Sequence, residues 1–248
     1  MTFTDPIQAP GTDERIWQRW QGWAALPTIT LESFSHVVVV AAHPDDEVLG
    51  FGGSLALLAA AGAHTTVVSV TDGEASHPRS RVLTAAGLAR LRAGETRAAL
   101  GELGAPQSEV IRLHVPDTAV AEHEDAVVRA LVPLLSGADL VVAPWSGDAH
   151  GDHEAAGRAT VRAAEGRPVT CWQYPVWMWH WAAPADDRVP WHRAARIQLP
   201  PRVRRLKEAA VGRFTTQIRP LGPGPDDAAI LPPEEVAHHL RDFEVVFR

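Results

Sequence analysis

From residue 36 onward, short apolar runs alternate with stretches in which apolar residues recur every three or four positions. The short runs predict buried strands and the longer stretches predict amphipathic helices. Predicted strands cover 37–42, 66–71, 110–113, 139–143 and 169–174, and predicted helices cover 49–61, 88–103, 122–135, 154–164 and 202–214. This alternation is typical of an α/β fold, here a single domain with a Rossmann-like, mostly parallel sheet and helices on both faces.

The N-terminal segment lacks this alternation. Residues 1–14 are polar and predict a loose arm. Trp17, Trp20 and Trp23 repeat every third position, which predicts a short helix that ends before Pro27. The simpler interpretation is that this helix packs its aromatic side on the core, and the alternative is that the rings stack on a ligand.

One boundary and two irregular segments follow from these patterns. Residues 1–35 are expected to form the arm and the tryptophan-bearing helix, and residues 36–248 the main domain. Within that domain, residues 172–201 are rich in Trp and Pro and poor in periodicity, so we expect a long ordered excursion near the edge of the sheet. Residues 220–233 contain many prolines and predict a surface loop.

Composition narrows the class of protein. The chain has 248 residues, 46% of them hydrophobic and 21% charged, which is ordinary for a folded globular protein. A net charge of -7 argues against a nucleic-acid partner, which would require clustered Lys and Arg. No run reaches the roughly 18 apolar residues of a membrane span, and the first residues do not resemble a secretory signal. With Cys171 as the only cysteine, a disulfide within the chain is excluded and a cytoplasmic location is expected.

The first chemically informative motif follows the first strand. Its predicted buried residues lead directly into a cluster that contains His43, Asp45, Asp46 and Glu47. Ligands of parallel α/β sheets bind beyond the carboxyl ends of strands. Three carboxylates this close repel one another unless a cation lies among them. The alternative is a solvated acidic turn that caps the next helix.

A second cluster follows the predicted strand 139–143. It contains Asp148, His150, Asp152 and His153, so the carboxyl ends of two strands carry matching groups. A mixed His and Asp set without thiolate suits Zn²⁺ or a similar divalent ion. A catalytic zinc site uses three protein ligands, so the surplus groups are expected to do acid and base work.

These residues resemble the zinc-dependent N-acetylglucosaminyl deacetylases of the PIG-L or LmbE type. The opening motif of that family, A-H-P-D-D-E, stands at residues 42–47, and its later H-x-D-H motif stands at 150–153. Weaker family features match at Thr71, Asp72, Gly73, Glu74, Arg92, Glu95, Pro116 and Asp117. The resemblance spans roughly residues 36–165.

The resemblance implies roles residue by residue. The implied zinc ligands are His43, Asp46 and His153. Asp45 would be the general base, with Glu47 and Asp152 as the next candidates, and His150 would steady the transition state, with a protonated ring facing the oxyanion. Arg92 and Asp117 would lie near the substrate sugar.

The chain departs from the family pattern toward its C-terminus. Many relatives carry K-x-x-A-x-x-x-H-x-S-Q, but Phe214 stands where the histidine would be. The nearby Trp-rich stretch is also unlike the family. Trp177 and Trp179 are candidates for substrate binding, and if the segment is extended they share a face with Trp181. A core or a subunit interface is the alternative for these rings.

The sequence thus predicts a zinc-dependent amide hydrolase that removes the N-acetyl or N-acyl group from an amino sugar or an amino-sugar glycoside or conjugate. One alternative keeps the zinc site but cleaves another amide conjugate. The other is a non-catalytic sugar-binding protein with a structural metal. The expected partner is a small molecule, with neither nucleic acid nor a membrane span involved, and a homo-oligomer remains open.

Overall fold

The structure is a computed structural model that describes residues 5–248. Its centre is one sheet of eight strands in the order β1-β7-β8-β6-β5-β2-β3-β4. The strands are β1 (Thr28–Ile29), β2 (His36–Ala41), β3 (His64–Ser69), β4 (Glu109–Arg112), β5 (Leu140–Pro144), β6 (Thr170–Tyr174), β7 (Ala194–Gln198) and β8 (Phe243–Phe247). The expected α/β fold with a mostly parallel sheet is confirmed.

The helices flank this sheet. They are α1 (Glu14–Gln18), α2 (Asp46–Ala60), α3 (Ala85–Glu102), α4 (Glu124–Leu134), α5 (Gly151–Ala164), α6 (Met178–Trp181), α7 (Pro201–Val211), α8 (Thr215–Ile218) and α9 (Pro233–His238). Short 3-10 helices cover Gln21–Ala25, Val120–His123, Trp191–Arg193 and Pro225–Asp227. Among the described residues, none of these helices is long and apolar enough to cross a membrane.

The five strands predicted by apolar runs form a contiguous parallel block of the sheet, and β1 pairs in parallel with β7 outside this block. β2, β3, β4, β5 and β6 pair in parallel with their neighbours in that group. Three strands were not predicted. One of them, β8, runs antiparallel to both β6 and β7, so the sheet is mixed at this side.

Alternate residues of β2 build two separate cores. Val37 and Val39 face the layer of α2, α3 and α7, whereas Val38 and Val40 face the layer of α4 and α5. All four valines are fully buried. A strand covered on both faces reads as a continuous apolar run, which explains why the periodicity of 2 is hidden in this part of the sequence.

The N-terminal tryptophans form a third core beside β7 and β8. The predicted single helix is wrong: α1 ends at Gln18 and a 3-10 helix follows. Side chains three residues apart align along a 3-10 helix but drift around an α-helix. The spacing of these tryptophans therefore favours a 3-10 helix after the end of α1. Trp17 and Trp23 are buried in this core. These two rings therefore pack on the core, as the simpler interpretation expected, and do not stack on a ligand. The boundary at residue 35 stays a prediction.

The Trp-rich excursion contains regular structure. Met178–Trp181 is a helical turn, so this part of the segment is not extended. The three tryptophans therefore point in different directions. Trp177 lines the large cavity described below, Trp179 lies in the third core, and Trp181 stacks on Trp145 at 6.2 Å between ring centroids.

Candidate active site

The two motifs meet at the carboxyl ends of β2 and β5. β2 lies between β3 and β5, and the chain leaves β2 toward β3 and later returns to β5 on the other side. Open α/β sheets bind ligands in the crevice at such a change of strand order. His43 follows β2, and His153 lies in the first turn of α5, which follows β5. The sheet topology therefore brings together two clusters that are about a hundred residues apart in sequence.

Donor atoms of His43, Asp46 and His153 form a compact triangle. His43 Nδ1 lies 3.3 Å from His153 Nε2, which lies 3.3 Å from Asp46 Oδ1. Asp46 Oδ2 lies 3.6 Å from His43 Nδ1. Ligand atoms about 2.0–2.2 Å from a tetrahedrally coordinated ion are themselves about 3.3–3.6 Å apart. The spacing fits an ion of the size of zinc, and the assignment of these three residues as ligands stays a prediction.

Asp148 fixes the orientation of His153. Its Oδ2 lies 2.8 Å from His153 Nδ1, and the carboxylate also accepts hydrogen bonds from the backbone amides of Val176, Trp177 and Met178. Asp148 is fully buried. A carboxylate on one ring nitrogen leaves the other nitrogen free to bind a metal, as is usual for metal-ligating histidines. The sequence did not single out this role, although Asp148 stands in the second cluster.

The second ring nitrogen of His43 faces two further carboxylates. Its Nε2 lies 3.2 Å from Asp152 Oδ2 and 3.2 Å from Asp117 Oδ1. His43, Asp117 and Asp152 thus form another group that could hold a metal ion. Asp152 also accepts from the amides of Thr118 and Val120, which occupies both of its oxygens. Asp117, expected near the sugar, lines the cavity and contacts His43.

The electrostatics of this cluster favour a cation. Burial acts to raise the pKa of Asp46. The charge of His153 and the hydrogen bond from His43 outweigh burial and hold this pKa well below its usual range. Burial also acts to raise the pKa of Asp117. The hydrogen bond from His43 outweighs burial and holds this pKa below its usual range. These carboxylates are ionised near neutral pH, and a positive charge among them relieves their mutual repulsion.

Asp45 lies beside the triangle with a strained backbone. Its φ is 136°, a left-handed value that is costly for a residue with a side chain. Burial raises the pKa of Asp45 to about 7, against the opposing charge of Arg92. A base with a pKa near the working pH is well suited to proton transfer.

Arg92 is buried behind Asp45 and is held by protein groups. Its guanidinium donates to Asp45 Oδ2 at 3.1 Å, to the carbonyl of Pro44 at 2.6 Å and to the carbonyl of Gly73 at 2.9 Å. Gly73 permits this approach, since a Cβ there would lie 1.9 Å from Arg92 Nη1. Arg92 therefore fixes Asp45, while its Nε has no partner among the described residues.

His150 lies against both histidines of the triangle. Its ring centroid is 4.9 Å from that of His43 and 4.6 Å from that of His153. Burial, reinforced by the charges of His153 and His43, lowers the pKa of His150 to about 3, so the ring is neutral near neutral pH. The protonated His150 expected from the sequence does not agree with this environment. Its Nδ1 is buried without a partner among the described residues.

The chain matches a known protein family. The family described as PIG-L, GlcNAc-PI de-N-acetylase, matches residues 38–164, slightly more than half of the chain. The chain belongs to the PIG-L family. All of the site residues named above lie inside the matched segment, apart from the backbone amides that Asp148 binds.

Two curated relatives are each named 1D-myo-inositol 2-acetamido-2-deoxy-alpha-D-glucopyranoside deacetylase. The relative from Segniliparus rotundus is 42% identical over 81 residues, which cover 30% of this chain and 26% of that protein. The relative from Mycolicibacterium gilvum is 28% identical over 188 residues, which cover 66% of this chain and 64% of that protein. The chain thus spans less than two thirds of the length of either relative.

A solved structure shares the fold. The structure of the A40926 pseudoaglycone deacetylase Dbv21 superposes with a TM-score of 0.65 at 22% identity. The match covers 87% of this chain and 97% of that chain. At this identity the likeness concerns the fold alone.

The PIG-L motifs line the floor of a large cavity. Its volume is about 640 Å³, and its floor carries Asp45, Asp46, Arg92, Asp117 and the three histidines of the motifs. The walls come from three other segments: 5–11, 176–180 and 229–235. Of the two tryptophans predicted to bind substrate, Trp177 lines this cavity, whereas Trp179 packs on Trp17 in the third core at 5.2 Å between ring centroids.

Proposed function

We propose that this PIG-L protein is a zinc-dependent hydrolase that removes the acetyl or acyl group from the nitrogen of an amino sugar or an amino-sugar conjugate. One observation carries the proposal. The triangle of His43, Asp46 and His153 opens on the same cavity as the Asp45 carboxylate. A metal-sized set of ligands and a base with a suitable pKa are the parts that amide hydrolysis requires.

His43, Asp46 and His153 would hold the zinc ion, with Asp148 orienting His153. When bound, zinc polarises the acyl carbonyl and makes a water molecule more acidic. Two other groups could hold a metal ion: His43 with His150 and His153, which contains both histidines of this first set, and His43 with Asp117 and Asp152, which shares only His43 with it. Because both oxygens of Asp152 accept backbone hydrogen bonds, we favour the first set.

Asp45 would act as the general base. Of the three candidates, Asp45 lines the cavity, whereas Glu47 and Asp152 are not among its lining residues. As water attacks the amide carbon, a C–O bond forms and Asp45 takes one proton from the water. Arg92 is a positioning residue in this scheme, because it donates to the Asp45 oxygen and acts through it.

Collapse of the tetrahedral intermediate breaks the C–N bond. The departing nitrogen takes the proton that Asp45 received, so the products are a carboxylic acid and a free amine. His150 would donate a hydrogen bond to the developing oxyanion from a neutral ring, which stabilises the transition state without a proton transfer.

Substrate contacts are proposed for Asp117 and Trp177, which line the cavity. An aromatic face offers a large rigid surface for a sugar ring or an apolar group. Trp179 is assigned to the core instead, since it packs against Trp17. A small molecule is the expected partner, and a cytoplasmic location stays a prediction.

Mass spectrometry of a panel of N-acetyl amino sugars and their conjugates, incubated with the purified protein and zinc, tests the proposal. We expect release of acetate and the free amine from at least one sugar compound. Cleavage confined to amides of other conjugates would favour the amidase alternative. Binding without any cleavage would favour a sugar-binding protein with a structural metal.

A further inference from the structure

The cavity divides into two parts of different origin. Its floor, with the triangle and Asp45, comes from the segment 38–164 that matches the PIG-L family. Its outer wall comes from 5–11, 176–180 and 229–235, which lie outside that segment. A volume of about 640 Å³ is in the range for drug-sized ligands, so the cavity is larger than a monosaccharide requires.

His180 joins the three parts of the outer wall. Its Nε2 lies 2.8 Å from the carbonyl oxygen of Ala9, and its Nδ1 lies 2.5 Å from Glu235 Oε1. Its own carbonyl accepts a hydrogen bond of 2.8 Å from the amide of Thr12. The ring is also 6.0 Å from that of Trp177, between centroids. One buried side chain therefore holds the N-terminal segment against the other two.

The N-terminal segment is built into the cavity. The loose arm expected for residues 1–14 is wrong for the described part, from residue 5. Gly11 packs so closely on His180 that a Cβ there would lie 2.4 Å from Nδ1 of the ring. Just beyond, Glu14 is buried and pairs with His238 and Arg241. Both ends of residues 9–14 are thus fixed to distant parts of the chain.

The chemistry of the outer wall is apolar with acidic charge. Ile7, Val176, Trp177 and Ile230 supply apolar surface, and further apolar surface comes from prolines. The wall carries the carboxyl groups of Asp5, Glu234 and Glu235, of which Glu235 pairs with His180, and among the wall residues that the structure describes there is neither Lys nor Arg. Such a surface accepts uncharged or cationic groups and disfavours anionic ones, since an anion would be desolvated beside like charge.

We propose that this outer wall is a subsite for the group attached to the amino sugar, and that it selects an uncharged or cationic, partly apolar group over an anionic one. The inference rests on the proposed function and adds the class of substrate to it. His180 is a specificity-determining residue in this scheme, because it sets the positions of the N-terminal segment and of residue 235.

Three compounds test the subsite: N-acetylglucosamine, its phenyl glycoside and its 1-phosphate. For the protein loaded with zinc, kcat/KM is expected to be highest for the phenyl glycoside and lowest for the 1-phosphate. His180→Phe, Gly11→Ala and Glu235→Gln should each lower the ratio of glycoside to monosaccharide, by about tenfold for His180→Phe, which loses two hydrogen bonds. Gly94→Ala is the matched control for Gly11, because its Cβ would meet nothing within 4 Å, and it should leave the ratio unchanged.

A charge reversal tests the selection directly. Glu234→Lys should raise kcat/KM for the 1-phosphate relative to the phenyl glycoside. Equal kcat/KM for all three compounds in the unmodified protein, or wall variants that lower every substrate by the same factor, would overturn the inference.

Binding separates this inference from the proposed function. Calorimetry with glucosamine, its phenyl glycoside and its 1-phosphate repeats the comparison without turnover. If no acetate is released from any compound but binding keeps the expected order and His180→Phe alters it, the proposed function fails and the subsite stands. If acetate is released and binding shows no order among the three, the subsite is refuted and the proposed function stands.

Discussion

Replacing Asp148 with Asn should weaken metal binding although Asp148 is not proposed as a ligand. The substitution keeps the size of a fully buried side chain and removes its charge. In the structure, Oδ1 accepts from the amides of Val176 and Met178, and Oδ2 accepts from Trp177 and faces His153 Nδ1. The NH₂ group of an asparagine would have to face one of these two pairs.

The magnitude follows from which pair it faces. Facing Val176 and Met178, the NH₂ group would leave two backbone donors unsatisfied, at about 1–3 kcal/mol each. Facing Trp177 and His153, it leaves one backbone donor unsatisfied, because the ring can change tautomer and accept at Nδ1. The second arrangement costs less, and it moves the ring proton to Nε2, where the metal would bind. Loss of such an orienting partner lowers metal affinity about 10–100-fold, or roughly 1.4–2.7 kcal/mol.

Competition with a chelator measures this change in zinc affinity, and a thermal melt reports stability in parallel. We expect weaker zinc binding and a free energy of unfolding lower by about 1–3 kcal/mol, from the one unpaired amide. Asp187→Asn is the matched control, because Asp187 is exposed. His153→Ala, which removes a proposed ligand, sets the upper limit of the effect on zinc content. Zinc affinity within about twofold of the unmodified protein, with a native melt, would refute the orienting role.

Other substitutions test separate parts of the account. Asp45→Asn should keep fold and metal but lower kcat by about 10²–10⁴, and near-normal turnover would move the base role elsewhere. Trp179→Ala should lower the free energy of unfolding by about 3–5 kcal/mol in urea titrations. Trp177→Ala should instead weaken binding of a glycoside by about 1–3 kcal/mol, and parallel losses for both tryptophans would contradict this division. Lys207→Met leaves the buried Glu244 without its cation and should cost about 3–5 kcal/mol, whereas a native stability would mean the pair is dispensable.

Strands β2 to β6 and the helices between them could be predicted because each element carries a local apolar pattern. Of the unpredicted strands, β1 has only two residues, and β7 and β8 each contain a charged residue, Arg196 and Glu244. Ile197 pairs with Glu244 across the antiparallel ladder, and Glu244 is buried only because Lys207 and two amides of α2 meet it. A charged residue in a buried strand contradicts the local pattern, so periodicity alone could not find it.

The triangle of His43, Asp46 and His153 could be anticipated because its residues cluster in two motifs, each after a predicted strand. The partners that orient these residues could not be. Arg92 was expected beside the sugar; it lines the cavity, and its contact with Asp45 shows only in the structure. The orienting role of Asp148 becomes visible only in the structure, where the segment after β6 brings three backbone amides to its carboxylate. The pattern of Trp at every second position suits a strand, but residues 178–181 form a helical turn.

The most direct test of the central claim is a zinc titration of acetate release. The protein is stripped with a chelator, zinc is added in steps, and acetate from an N-acetyl amino sugar accepted by the protein is measured at each step. The account predicts that activity is lost on stripping and returns in proportion to zinc until one ion is bound per chain. Acetate release that continues undiminished in the stripped protein, or zinc binding that restores no release, would contradict it.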